Sequence, residues 1–244
     1  AGTLSVAKAL VETGMVKRVE PETKIVLETP TGLVTVYVKW ENHMVASINL
    51  ENVPAFLYRK DLHIDLAGYD DVSVDIGYGG NFFVLADVHS LGLTITKDTV
   101  NLLRSLSKDI LAAANKVIKV AHPTNPAINY LDQVLFCQNV PEEDGGYLAQ
   151  CIFGDAQADI SPCGTGTSTR LAQRYFRGLI GLEETFVQKS VCGGAFHAKG
   201  LRETTLGGVP AIVPYVSCSD VHITGFNHLI VEENDKLKNG FVSW

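Results

Sequence analysis

The chain has 244 residues, of which 46% are hydrophobic, with 20 Lys plus Arg against 27 Asp plus Glu and a net charge of −7. That is enough apolar material for one large or two small cores, and the acidic balance without any basic block argues against nucleic acid as a partner. No apolar run approaches the roughly 18 residues of a membrane span, so no membrane partner is expected.

Thr3 to Glu12 reads as a helix, with Leu4, Ala7, Leu10 and Val11 on one face and Gly14 as its stop. It begins at once, with no strand, cap or signal segment ahead of it, so this reads as a chain whose true beginning is missing. Strand-like runs follow at Lys24 to Glu28, Leu33 to Trp40, His43 to Leu50, Ala55 to Tyr58, Leu62 to Leu66 and Val72 to Ile76. They are β-branched or alternating and joined by short turns such as Pro30-Thr31-Gly32, which predicts a mostly antiparallel sheet. Gly77 to Asn81 interrupts the pattern and Phe82 to Ala86 resumes it. Thr96 can cap a helix from Lys97 to about Lys119, ended by His122-Pro123. Its buried stripe would be Val100, Leu103, Leu106, Ile110, Ala113 and Val117. Gln133 to Val140 and Tyr147 to Phe153 flank a hairpin turn at Glu142-Glu143-Asp144-Gly145-Gly146. The last strands are expected at Thr185 to Val191, Ala195 to Lys199, Ala211 to Ser217 and His222 to Val231.

The stretch Asp159-Ile160-Ser161-Pro162-Cys163-Gly164-Thr165-Gly166-Thr167-Ser168 carries the chemistry. Beyond it Leu171, Ala172, Tyr175, Phe176 and Leu179 recur at helical spacing, with Gly178 as the stop, so Cys163 falls at or just before a helix N-terminus. The first turn of a helix has unpaired N–H groups and a partial positive charge. A thiol there ionises more easily than a free one, whose pKa is about 8.5. Gly164 and Gly166 let a ligand approach the backbone, where the same N–H groups can hold a carboxylate. Asp159 can hold a cation nearby, or simply cap local N–H groups. Thiolate, anion cradle and carboxylate together suit an amino acid zwitterion.

The cysteines are Cys137, Cys151, Cys163, Cys192 and Cys218. An odd number without a Cys-x-x-Cys pair argues against both a disulfide framework and a zinc site, and a reducing, cytoplasmic setting fits best. Cys137, Cys151 and Cys192 lie in strand-like apolar runs and read as inert core, and Cys218 as structural. His43, His63, His89, His197, His222 and His228 show no metal-ligand spacing, and His122 reads as a capping histidine. No metal is expected.

A further pattern is internal. Gly2-Thr3 leads into an apolar helix ending at Gly14 and then a strand ending in Glu28-Thr29; Gly166-Thr167 leads into an apolar helix ending at Gly178 and then Glu184-Thr185. Two similar domains are the implication, the first incomplete: residues 1–75, with 220–244 returning to it, and residues 76–219 around the Cys163 helix.

The stretch Asp159 to Ser168 resembles the second active-site motif of the proline racemase family, which includes proline racemases, hydroxyproline epimerases and trans-3-hydroxyproline dehydratases. Val11 to Val16, Gly79-Gly80-Asn81-Phe82-Phe83, Ile152-Phe153-Gly154, Glu184 to Val187, Ile223 to Asn227 and Lys238 to Phe241 agree in order along the chain. The resemblance implies an α/β fold of the α+β type, diaminopimelate-epimerase-like: two pseudo-symmetric domains, each a curled, largely antiparallel sheet round a central helix, with the site between them. It implies cofactor-independent racemisation or epimerisation of proline or a hydroxyproline, and often a homodimer. Cys163 would be one acid/base, the N–H groups of Gly164 and Thr165 would bind the substrate carboxylate, Asp159 the amine, and Phe153 would wall the ring. Gly2 would belong to a facing cradle, although a glycine at a helix start explains it equally well. The family's first motif is Cys-Gly-His-Gly-Thr. Gly2 and Thr3 match its end, Ala1 stands where its His does, and its cysteine would fall ahead of Ala1. Dehydratases carry Ser or Thr there, so dehydration of trans-3-hydroxyproline stays open, as does a ligand-binding chain without turnover. A Cys–His thiol hydrolase is a further reading, and it needs a histidine beside Cys163.

Overall fold

The computed structural model describes residues 2–140, 146–227 and 230–240. Helix α1 (Gly2–Glu12) is followed by strands β1 (Glu22–Thr29), β2 (Gly32–Glu41), β3 (Met44–Glu51), β4 (Phe56–Ile64), β5 (Val72–Tyr78) and β6 (Phe82–Asp87). Then come α2 (Val100–Val117), β7 (Gln133–Asn139), β8 (Gly146–Phe153) and β9 (Gln157–Ala158). Helix α3 (Gly164–Phe176) precedes β10 (Phe186–Ser190), β11 (Ala195–Leu206) and β12 (Val209–Cys218).

Strand β2 shows why these runs form strands. Val34, Val36, Val38 and Trp40 alternate with less buried residues, so every second side chain enters the core. Helix α1 covers β2 and β3 with Leu4, Ala7 and Val11. Its stripe is apolar at three- and four-residue spacing, which is what holds a short helix on a sheet.

One sheet runs in the order β1-β2-β3-β12-β11-β10-β8-β7-β6-β5-β4, with β9 beside β8. The β6–β7 and β8–β10 pairs are parallel and the other pairs antiparallel, so the sheet is mixed. Just ahead of β4, the Ala55 N–H donates to Ile212 O at 2.8 Å and the Ile212 N–H returns to Ala55 O at 2.9 Å. That bridge brings the β4 end of the path back to β12. Strands β4 to β8 and β10 to β12 therefore curl round α3, which packs on β4, β5, β6, β11 and β12.

Helix α3 is buried on nearly all sides, including Thr167, Ser168, Thr169, Arg170 and Gln173. Buried polar groups need partners. Ser168 and Thr169 donate back to Gly164 O and Thr165 O, at 3.0 and 2.8 Å. Gln188 donates to Thr167 Oγ1 at 2.9 Å, and Gln173 Nε2 to Asp75 Oδ2 at 2.6 Å. Asp75 also accepts from the Asp61 N–H and from Arg177 at 2.7–2.9 Å, which pins the end of α3 to β5. Burial alone would raise the Asp75 carboxyl, but the hydrogen bonds from Arg177, Gln173 and the Asp61 amide hold it below its ordinary range.

Several sequence expectations are corrected. The two runs expected at Ala55 to Tyr58 and Leu62 to Leu66 merge into one strand, β4, which spans Phe56–Ile64, has bulges on either side of Arg59 and carries Asp61 at φ 49°. Helix α2 starts three residues later than expected and ends at Val117, where Ile118 turns extended, so His122-Pro123 does not end it; Val117 is exposed. Cys192 sits exposed in the turn after β10. The described part of the run expected as a strand from His222 to Val231 is not a strand. Residues 142–145 of the expected hairpin turn, His228, Phe241 and Ala1 lie outside the described residues.

Candidate active site

Strand β8, the β9 turn and α3 build the site in sequence order. Strand β8 delivers Cys151 and Phe153, and the chain doubles back so that the Asp159 N–H donates to Cys151 O at 3.0 Å. Gln150 Nε2 clamps this return by donating to Cys151 O and Asp159 O at 3.0 and 2.9 Å. Asp159 Oδ1 accepts from the Ser161 N–H at 2.8 Å, and Ser161 Oγ accepts from the Cys163 N–H at 3.1 Å. Gln188 Nε2 holds Pro162 O at 2.8 Å. Asp159, Ser161 and Pro162 are thus each tied to the sheet or to the next residues of the turn, which positions Cys163 at the start of α3.

Cys163 is the N-cap residue of α3, at φ 65° and ψ 108°. A side chain in this region costs on the order of 1–3 kcal/mol, strain that concentrates where geometry matters for function. The Gly166 N–H donates to Cys163 Sγ at 3.3 Å. A Cβ on Gly166 would lie 3.1 Å from that sulfur and from Leu135 Cδ1, so a larger residue would push one of them back by a few tenths of an ångström. Thr165 Oγ1 lies 3.6 Å from Sγ. The Cys151 thiol hydrogen-bonds Cys163 and is the largest influence drawing Cys163 below the usual thiol range; burial and Asp159 oppose it, and Thr165 and the Gly166 amide add to it. Cys151 is pushed well up by the same contact and by burial. In this pair Cys163 is the thiol that ionises more readily and Cys151 the one that stays protonated to donate.

Cys163 is only 6% exposed, yet it opens on a cavity of about 470 Å³. The wall includes Phe153, Asp159, Cys163, Gly164 and Thr165, together with Gly2 and Thr3 at the start of α1. Cys163, Asp159, Gly164, Thr165, Phe153 and Gly2 thus all line one cavity, with residues from the first turns of two helices on it. The leading N–H groups of both helices have no intrahelical acceptor. No histidine among the described residues lines this cavity, so none of them offers Cys163 the partner that the Cys–His reading needs. His122 lies beside it: its Nδ1 accepts from the Asn125 N–H at 3.0 Å, and its ring sits 4.8 Å from that of Tyr78.

Sequence reasoning missed four contributors. Cys151, read as inert core, touches Cys163. Asn52, Asn81 and Gln133 also line the cavity. Asn52 Nδ2 donates to Gly79 O at 3.0 Å and to Ser168 Oγ at 2.9 Å, which ties the β5–β6 turn to α3. The glycines of that turn then explain themselves. A Cβ on Gly79 would sit 2.6 Å from both Thr165 O and Thr169 N, so the turn packs directly on the helix backbone. The one available signal was the unusual run Gly77-Tyr78-Gly79-Gly80, since close backbone approach is a standard reason for glycine.

Two helix N-termini and a thiol pair converging on one cavity suit proton transfer on a small anion. The sequence profile described as "Proline racemase" matches residues 1–242. A trans-3-hydroxy-L-proline dehydratase of Burkholderia cenocepacia is 37% identical over 99% of this chain and 72% of its own length. A proline racemase of Acetoanaerobium sticklandii is 38% identical over 98% of this chain and 72% of its own length. Among solved structures, a hydroxyproline epimerase from Agrobacterium vitis with bound trans-4-hydroxy-L-proline superposes with a TM-score of 0.89 at 32% identity, covering 100% of this chain and 69% of that one. The chain belongs to the proline racemase family. No helix among the described residues is long and apolar enough to cross a membrane.

Proposed function

We propose that this protein is a cofactor-independent racemase or epimerase of proline or a hydroxyproline, with Cys163 moving the α-proton. One observation carries the reading: the Cys163 sulfur accepts a helix-start N–H and faces a cavity that also holds the start of α1. Removing an α-proton is hard because the carbanion forms beside a charged carboxylate. The N–H groups of Gly164 and Thr165 would hold that carboxylate, with Gly2 in the facing cradle, and take up charge as it develops. Asp159 would hold the ring ammonium and Phe153 the ring itself. The Cys163 thiolate takes the proton and becomes a thiol; the C–H electron pair stays on the substrate. A second acid on the opposite face of the substrate would return a proton there and invert the carbon. The dehydratase relative supports a second reading, in which the C3 hydroxyl leaves as water after the same proton removal.

We also read α1 and β1–β3 as part of one domain and the strands round α3 as the other, in the diaminopimelate-epimerase manner. Lys8 Nζ donates to Val221 O at 2.5 Å, which brings the segment after β12 back to α1. Strand β5 runs through position 75 and pairs with β4 and β6, so the β4–β5 hairpin goes with α3.

The test incubates the protein in D₂O with L-proline, trans-4-hydroxy-L-proline and trans-3-hydroxy-L-proline. Deuterium at an inverted α-carbon is the expected result. A cyclic imine from the 3-hydroxy compound alone selects dehydration, and no exchange with any of the three overturns both readings.

A further inference from the structure

Cys151 and Cys163 are twelve residues apart in a pattern that no metal motif describes, yet the fold brings them together with a carboxylate. The two Sγ atoms and an Asp159 carboxylate oxygen all lie within 4.8 Å of one another. In a tetrahedral zinc site, with Zn–S about 2.3 Å and Zn–O about 2.1 Å, donor atoms stand roughly 3.6–3.8 Å apart. From 4.8 Å or less, the three donors would have to close by at most about 1.2 Å. They are also held in place. The Gly166 N–H supports the Cys163 sulfur at 3.3 Å, and the Ser161 N–H fixes the carboxylate at 2.8 Å. Gln150 fixes the backbone of Cys151 and Asp159 together. Outer contacts of this kind orient metal ligands. Two thiolates and one carboxylate select a soft or borderline cation over magnesium or calcium. All three residues line the cavity, so a fourth ligand can come from it.

We propose that Cys151, Asp159 and Cys163 form a chelating site for a thiophilic divalent cation of the zinc class, and that its binding shuts the cavity to small amino acids. Three protein ligands with one open position describe an accessible site rather than a closed structural one. The cation occupies the sulfur and carboxylate that the proposed reaction needs, so metal and substrate exclude each other. This last clause rests on the proposed function; the binding site itself does not.

The experiment titrates the reduced full-length protein with cadmium, a zinc substitute whose thiolate bonds give an ultraviolet charge-transfer band. One equivalent is expected, with proton release from the thiols. Cys151→Val and Asp159→Asn, each checked for folding by circular dichroism, should weaken binding at least 10- to 100-fold, the loss that even an outer-sphere partner causes. Cys192→Ser, which removes the exposed cysteine, should bind as the parent does. Absence of the band, an affinity unchanged in both site variants, or a band lost only in Cys192→Ser overturns the proposal. Cadmium binding by a protein that exchanges no α-proton would sink the proposed function and leave this site standing; exchange without cadmium binding does the reverse.

Discussion

Gly79→Ala tests whether the β5–β6 turn sets the position of the thiol. The new methyl would stand 2.6 Å from Thr165 O and Thr169 N and 2.7 Å from Thr169 Oγ1. Ordinary contacts need about 3.5 Å, so turn and helix must separate by roughly 0.9 Å. Two of the three opposing atoms are helix backbone, and no side-chain rotation relieves them. Overpacking of this kind costs about 1–3 kcal/mol, which at roughly 2–4 °C per kcal/mol lowers Tm by about 2–12 °C. The functional loss should be larger than the loss of stability. Thr165 is two residues from Cys163, and a displacement near 1 Å at a reacting group can cost on the order of 100-fold in rate. The assay is α-proton exchange in D₂O beside a thermal melt, with Gly225→Ala as a control because an added Cβ there meets nothing within 4 Å. A Gly79→Ala protein with parental Tm and parental exchange would refute the reasoning.

Three more outcomes are expected. Cys163→Ser should keep the fold but lower α-proton exchange by about 10²- to 10⁴-fold, the usual contribution of a general base, as read by mass spectrometry of the substrate. Asn52→Ala removes the donor to Gly79 O and Ser168 Oγ, and should cost about 1–3 kcal/mol in denaturant melts because buried acceptors lose their partner. Asp75→Asn breaks a buried ion pair with Arg177; because Arg177 keeps Asp61, the cost should fall near the lower end of the roughly 3–5 kcal/mol range. The pH sign follows from the depressed carboxyl: its stabilisation is fully present above the unfolded value of 3.8 and is lost as pH falls through the folded value. The parent should therefore lose stability faster than Asp75→Asn as pH drops below about 4.

What was legible in the sequence was local. Helix α1, the alternation in β2 and the cysteine at the start of α3 are each written within a dozen residues. What was hidden depends on distant pairing. Helix α3 showed a modest apolar stripe, yet it is enclosed by strands from both ends of the path, and its hydroxyl and amide groups survive burial because Asn52, Asp75 and Gln188 answer them. Leu179, counted in that stripe, falls past the helix end and is exposed. Cys151 looked like any apolar strand residue, since nothing in its neighbours announces that β9 folds Asp159 back onto it. The Pro30-Thr31-Gly32 turn between β1 and β2 is read directly from its residues; the register that closes Ala55 on Ile212 spans most of the chain.

The left-handed backbone at position 163 narrows what can ever stand there. A residue branched at Cβ is a true outlier at such an angle, so threonine and valine pay twice, once in sterics and once in lost sulfur. Drift or laboratory evolution at this site is thereby confined to unbranched side chains, with serine, alanine, asparagine and glycine the accessible neighbours. Any attempt to re-equip the pocket with another proton carrier must begin from that short alphabet.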